Sequence, residues 1–162
     1  MEPSKNLRVE PVLDEVDRLI VEELQRNGRI TNAELAERVG IAASTCVARV
    51  RGLVARRVIT GFTARVDPGV IGMNLQVLVS VSLRAGARQR LSEFSDELRE
   101  LPEVLQLFFL GGVEDFIIHL AARDSDHIRD FVTDHLSAHP AVSSTRTSIV
   151  FSHHQNPVHL RG

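Results

Sequence analysis

The sequence predicts an α+β fold. An N-terminal helix-turn-helix unit of winged-helix-like type leads through a linker strand to a C-terminal ferredoxin-like βαββαβ domain. Three observations carry this. Apolar residues recur at spacings of three and four up to about residue 56, and at a period of two after it. Ala36 is followed four residues later by Gly40; a small residue and a turn-forming glycine let two short helices meet closely. From residue 74 the elements run β-α-β-β-α-β. The expected segments are 12–58 for the helical unit, 59–73 for the linker strand and turn, 74–152 for the ferredoxin-like domain, and 153–162 for a tail.

Each element has a local cause. Residues 1–11 are polar, with Pro3 and Pro11, and read as a loose arm. A first helix follows. Asp14 caps it, Glu15 and Asp17 suit its positive end, and Leu13, Val16, Ile20 and Leu24 form its apolar stripe. Asn27-Gly28 ends it. Thr31 and Glu34 have the spacing of a capping box, opening a short helix that ends at Gly40. A third helix covers about 43–56, with an apolar stripe of Cys46, Val47, Val50, Leu53 and Val54. Residues 59–66 then read as a strand and Asp67-Pro68-Gly69 as a turn. "LQVLVSVSL" alternates as a strand, with Leu75, Val77, Val79, Val81 and Leu83 on one face. A helix over about 87–101 carries Leu91, Phe94, Leu98 and Leu101 and stops at Pro102. Residues 104–110 and 116–122 form a hairpin around "GGVED". A helix starting at Asp124 or Ser125 carries Ile128, Phe131, Val132 and Leu136 and ends by Pro140. Residues 142–151 are the last strand.

Composition narrows the function. The chain has 162 residues, 43% hydrophobic and 25% charged, as in an ordinary soluble protein. No apolar run is long enough to span a membrane, and the start lacks the pattern of a signal peptide. Cys46 is the single cysteine, which excludes an internal disulfide and a multi-cysteine metal site. A cytoplasmic location is expected.

The formal charge of −2 conceals a pattern. Residues 1–37 hold nine acids and five bases, residues 38–66 six arginines and no acid, and residues 67–162 eight arginines and twelve acids. A partner feels the local field, because distant charges are screened beyond about 10 Å in ordinary salt. The third helix lies inside the acid-free window. Off its apolar stripe it carries Ser44, Thr45, Ala48, Arg49, Arg51, Gly52, Ala55 and Arg56. In a helix-turn-helix the start of the second helix enters the major groove, where small polar residues and arginine meet base edges. Arg49, Arg51 and Arg56 are expected at phosphate or guanine, with Ser44, Thr45 and Ala48 nearest the bases of double-stranded DNA. The alternative is a solvated arginine face on a domain used for protein contact. Gly52 is unfavourable mid-helix by about 1 kcal/mol against Ala.

The remaining motifs give less. Cys46 falls on the core stripe and reads as a structural thiol. "LGGVEDF" joins two strands; its glycines permit close approach of a ligand, and Glu114 and Asp115 suit an ammonium group. A plain hairpin with solvated acids is the alternative. His153, His154 and His159 lack a rigid ligand spacing, so no metal is expected. No catalytic constellation is visible, and neither an enzyme nor a cofactor is expected.

Several long segments resemble the leucine-responsive regulatory protein/asparagine-synthetase regulator (Lrp/AsnC) family of transcription factors. They are "LDEVDRLIVEELQRNGRITNAELAERVGI", "RVRGLVARRVITGFTARVDPGVIG", "GGVEDF" and "TRTSIV", spread from about Leu13 to Phe151. "VSVSLRA", "FFLGGVEDFIIHLAARD" and "TSIVF" look most like an actinobacterial subgroup that includes regulators of alanine dehydrogenase. The resemblance implies an N-terminal DNA-binding domain and a C-terminal domain that binds small effectors, usually amino acids. It implies homodimers formed by pairing sheets, assembling into tetramers, octamers or larger discs, with effectors between subunits. The implied effector residues are Phe109, Gly112, Val113, Glu114, Asp115, Thr145, Thr147 and Ile149. Ala42, Gly52 and Arg57 depart from the family, which often has Ser, Arg and Gly at those places. Two other readings remain: an architectural protein that wraps DNA with little sequence preference, and a tetrapyrrole decarboxylase of the same fold family.

Overall fold

The structure, a computed structural model, describes residues 13–87 and 91–160. The expected arm over 1–11, the start of the 87–101 helix and the Leu91 side chain lie outside that description. The chain divides into two compact units. One comprises residues up to 65 together with the segment from 155, and the other residues 66–154.

Among the described residues the helical unit has three helices, α1 (Glu15–Arg26), α2 (Asn32–Val39) and α3 (Ala43–Ala55). The Asp14 carboxylate accepts from the Asp17 N–H at 2.7 Å and starts α1. Thr31 and Glu34 form the reciprocal capping box that opens α2. Gly40 ends α2 with a left-handed backbone (φ 75°), and the next N–H, of Ile41, returns to the Ala36 carbonyl at 3.0 Å. Alanine at 42 leaves α3 without a side-chain cap. The core contains Ile20, Val21, Leu35, Ala36, Cys46 and Leu53. Val47 and Val50 are half-buried, whereas Val54, expected on the core stripe, is 43% exposed. It sits in the last turn of α3, just before the chain leaves the helix.

The other unit is a four-stranded antiparallel sheet in the order β2-β3-β1-β4. Its elements are β1 (Leu75–Leu83), α4 (Leu91–Arg99), β2 (Val104–Phe109), β3 (Phe116–Ala122), α5 (Ser125–Phe131) and β4 (Val142–Ile149). The period-two pattern sends Val77, Val79 and Val81 of β1, with Phe116, Ile118 and Leu120 of β3, to one face. Phe94 and Leu98 of α4, and Ile128, Phe131 and Leu136, complete this core. The other face carries Leu78, Ser80, Ile117, His119, Gln106, Phe108 and Arg146, as the strand registers require.

Two elements differ from expectation. Residues 60–67 have no regular secondary structure, although 59–66 read as a strand. Alternation prepares a segment for a ladder, but no described part of this single chain pairs with it, and Phe62 and Val66 stay exposed. The helix from Ser125 changes to a π-helix over Val132–Ser137. Within it the Thr133 hydroxyl donates back to the Arg129 carbonyl at 2.8 Å, a bond that competes with the regular helical ladder.

The end of α3 stores strain. Arg57 has φ 58°, the left-handed conformation that glycine takes in this position of a helix stop. Around it the Val58 N–H reaches the Leu53 carbonyl (2.9 Å) and the Arg57 N–H the Val54 carbonyl (3.0 Å), which is the Schellman pattern. A side chain there costs about 1 kcal/mol relative to glycine. Arg57→Gly should therefore raise the thermal midpoint of the helical unit, by an amount equivalent to about 1 kcal/mol, when followed by far-UV circular dichroism. An unchanged or lower midpoint would show that the arginine side chain compensates.

Candidate nucleic-acid interface and effector region

The faces of α3 are set by helical geometry. Ser44, Ala48, Arg51 and Ala55 recur at spacings of four, three and four, so they share one face, and all are exposed. Thr45 lies beside them and is also exposed. Arg51 makes no ion pair among the described residues. This face is small, polar and free of carboxylates.

Arg49 and Arg56 belong to another face. They are seven residues apart, about two turns, and Arg51 lies about 200° around the helix from Arg49. Arg49 Nη1 is 2.5 Å from Asp14 Oδ2 and 2.9 Å from Asp17 Oδ1. Arg56 Nη2 is 2.7 Å from Asp17 Oδ2. Each oxygen of Asp17 therefore accepts from a different arginine. The Asp17 side chain is only 7% exposed, and a carboxylate so far from water requires such partners. Of the three arginines expected at DNA, the structure thus engages two in holding α3 against α1 and leaves Arg51 outward.

The electrostatics agree. The Arg49 guanidinium, followed by the Asp17 N–H, holds the Asp14 carboxyl below the usual carboxylate range, and Asp14 and Asp17 in turn raise Arg49. Arg38 bonds Glu23 at 2.9 Å and is the main cause of that carboxyl's lowered value. Burial pushes the Cys46 thiol up, as befits a core position. Gly52 has open space where a Cβ would be, so packing does not demand glycine there.

The expected effector residues fall into two groups. Phe109, Gly112, Val113, Glu114 and Asp115 lie at and beyond the end of β2. Thr145, Thr147 and Ile149 face Val81, Val79 and Val77 from β4. β2 and β4 are opposite edges of the sheet, three strand spacings or about 14 Å apart. Only the hairpin's inner end approaches β4: the Val81 carbonyl accepts from the Asp115 N–H at 3.0 Å, and Val81 pairs with Thr145.

Asp115 is buried, and its Oδ2 accepts from the Leu83 N–H at 2.7 Å, where the β1–β4 register slips. Its backbone carbonyl also accepts from Leu110 at 2.9 Å. This carboxylate shapes the hairpin. Glu114 pairs with Arg146 of β4. Val113 is 90% exposed, and Phe109 stands 6.3 Å from the Phe116 ring. Neither Gly111 nor Gly112 has a left-handed backbone, and a Cβ on either would meet open space. A cleft of about 400 Å³ along β2 is lined by Arg99, Leu105, Leu107 and Phe109, among others. His119 is buried on the sheet face away from the helices, 2.9 Å from Gln76 Oε1 and 3.3 Å from Gln106 Oε1. Burial, and then the neighbouring His153, lower its pKa below the usual imidazole value.

Sequence reasoning placed Asp17 only as a favourable charge near the helix start and gave Gln25 no role. Nothing local distinguishes either residue, because their partners lie 32 or more positions away.

A tight pair of helices presenting a carboxylate-free face, with a βαββαβ domain following in the same chain, defines a two-domain helix-turn-helix transcriptional regulator. Residues 13–54 match the AsnC-type helix-turn-helix domain, and residues 76–157 match the Lrp/AsnC ligand binding domain. The chain belongs to the Lrp/AsnC family. It is 45% identical over 141 residues to the HTH-type transcriptional regulator AldR of Mycolicibacterium smegmatis, covering 87% of this chain and 82% of that protein. The crystal structure of MtbAldR superposes with a TM-score of 0.70 at 40% identity, covering 90% of this chain and 99% of that one. A transcriptional regulator of Neisseria meningitidis, solved in complex with L-methionine, gives a TM-score of 0.81 at 32% identity, covering 90% and 94%.

Proposed function

We propose that this regulator reads double-stranded DNA with the outer face of α3 and changes its binding or assembly in response to an amino acid. The observation that carries the DNA reading is the division of the α3 arginines. Arg49 and Arg56 are committed to Asp14 and Asp17, while Arg51 projects from the same face as Ser44, Ala48 and Ala55. Arg51 is the direct contact to phosphate or guanine, with Ser44, Thr45 and Ala48 next to it. Arg49 and Arg56 contribute by fixing the helix.

The amino-acid effector is supported by the family's ligand-binding domain and by the L-methionine bound to the Neisseria relative. The glycines at 111 and 112 add to it, since nothing within one chain requires them; their exposed amides suit close approach of a carboxylate. The two groups of effector residues lie on opposite sheet edges, so the proposed site is completed between subunits. The sheet face bearing Leu78, Ile117 and Phe108 is the surface proposed for dimer pairing, and larger assemblies follow from such dimers. Asp115, already bonded to Leu83, orients the hairpin, and Thr145 is the nearer hydroxyl for the effector.

Two measurements test this. Arg51→Ala should weaken operator binding at fixed salt and lower the slope of log affinity against log salt by about 1, with the thermal midpoint unchanged. Arg49→Ala should lower the midpoint and leave that slope unaltered. The reverse pattern would exchange their roles. In a thermal-shift screen of the twenty amino acids, the effector should raise the midpoint in a concentration-dependent way, by about 2.7 kcal/mol at a hundredfold excess over its Kd. Thr145→Val should reduce that shift and leave operator affinity intact; no shift with any amino acid would refute this class of effector.

A further inference from the structure

The segment after β4 is fixed at successive points. The Val150 N–H donates to the Gln76 carbonyl at 2.9 Å, and the His153 ring stands edge-on to His119 at 5.7 Å. Further on, Gln25 of α1 makes a reciprocal pair with one residue of this segment. Its Nε2 donates to the Val158 carbonyl (3.1 Å), and its Oε1 accepts from the Val158 N–H (2.7 Å). A primary amide offers one donor and one acceptor side by side, so it satisfies a peptide unit much as a neighbouring strand does. The Val158 side chain is 68% exposed, and contact there is through the backbone. Leu160 then packs against the helical core of Ile20, Val21, Leu35, Cys46 and Leu53.

We propose that the face of α1 centred on Gln25 is a docking surface for an extended peptide, and that its occupant is the chain's own segment 155–160. Backbone pairing at Val158 and side-chain burial at Leu160 are complementary modes of peptide recognition. The segment is covalently attached, so its effective concentration is high and two modest contacts suffice to hold it. The ligand-binding domain model ends at residue 157, before either anchoring residue.

The DNA-reading unit is then built from both ends of the sequence and has two covalent connections to the rest of the chain. One runs through the linker before residue 66 and the other precedes residue 155. Each connection limits how α1, and through Asp17 the reading helix α3, can move. Changes at the C-terminus should therefore alter operator affinity although they lie far in sequence from α3.

The test is amide hydrogen exchange on the full-length protein, with a synthetic peptide of residues 150–162 as the unprotected reference. In the native protein the amide of Val158, which donates to Gln25, should exchange at least tenfold more slowly than in the peptide. Gln25→Ala and Leu160→Asp should each remove most of that protection, whereas Val158→Ala should retain it. Leu160→Asp should also weaken operator binding several-fold without changing the salt slope. Native exchange at the peptide rate, or protection that survives both variants, would overturn the proposal. Mixing refolded Gln25→Ala and Leu160→Asp chains distinguishes the occupants. Protection regained at Val158 in the mixture would mean that the segment docks on a second copy and would overturn the own-chain assignment; no recovery is expected.

Discussion

The buried carboxylate of Asp17 is the constraint on which the DNA-reading unit turns. It lies in the first turn of α1, yet its oxygens accept from arginines two turns apart on α3. A hydrophobic core of six buried residues holds the helices together without direction. The two guanidinium contacts add direction: they fix the rotation of α3 about its own axis. Rotation decides which residues face outward, so an ion pair on the inner side determines that Ser44, Ala48 and Arg51 occupy the outer side.

Charge segregation serves the same end. The acid-free window from 38 to 66 is accurate as sequence, but its field is partly neutralised in the fold. Asp14 and Asp17 meet Arg49 and Arg56, and Glu23 meets Arg38. Arg51, Arg57 and Arg65 remain without ion pairs among the described residues. A basic patch counted along the chain therefore overstates the charge offered to DNA. Two of these cations lie on the outer side of α3 and at its strained C-terminal stop, and the third, Arg65, follows in the linker. Two of the three residues that depart from the family resemblance fall here: Arg57 adds a cation at a conformational cost, and Gly52 omits one where space exists for a side chain.

Local features were legible. Asp14, the Thr31–Glu34 box and Gly40 each act within four residues, and each does what its spacing predicts. The alternation of "LQVLVSVSL" and the bounds of β3 are equally local. Interactions across the chain were not. Asp17 has the same dipole-friendly position whether exposed or buried; only the approach of α3 buries it. Asp115 reads as a free acid in a glycine loop, and the fold spends its carboxylate on Leu83. Residues 59–66 alternate like a strand, but a strand needs a ladder that the described residues of this chain do not supply. The segment from 153 reads as a tail because an amide–backbone pair, such as Gln25 with Val158, leaves no mark in side-chain pattern.

The most direct test of the central claim is a double-mutant cycle on Asp17 and Arg49, read by unfolding of the helical unit at low salt. Asp17→Asn removes the charge and keeps the shape, and Arg49→Gln removes the charge and leaves a shorter polar side chain. The clamp predicts that the double variant loses less than the sum of the single losses, with a coupling of about 1 kcal/mol or more. Additive losses would contradict it and return Arg49 to the set of arginines free to meet DNA.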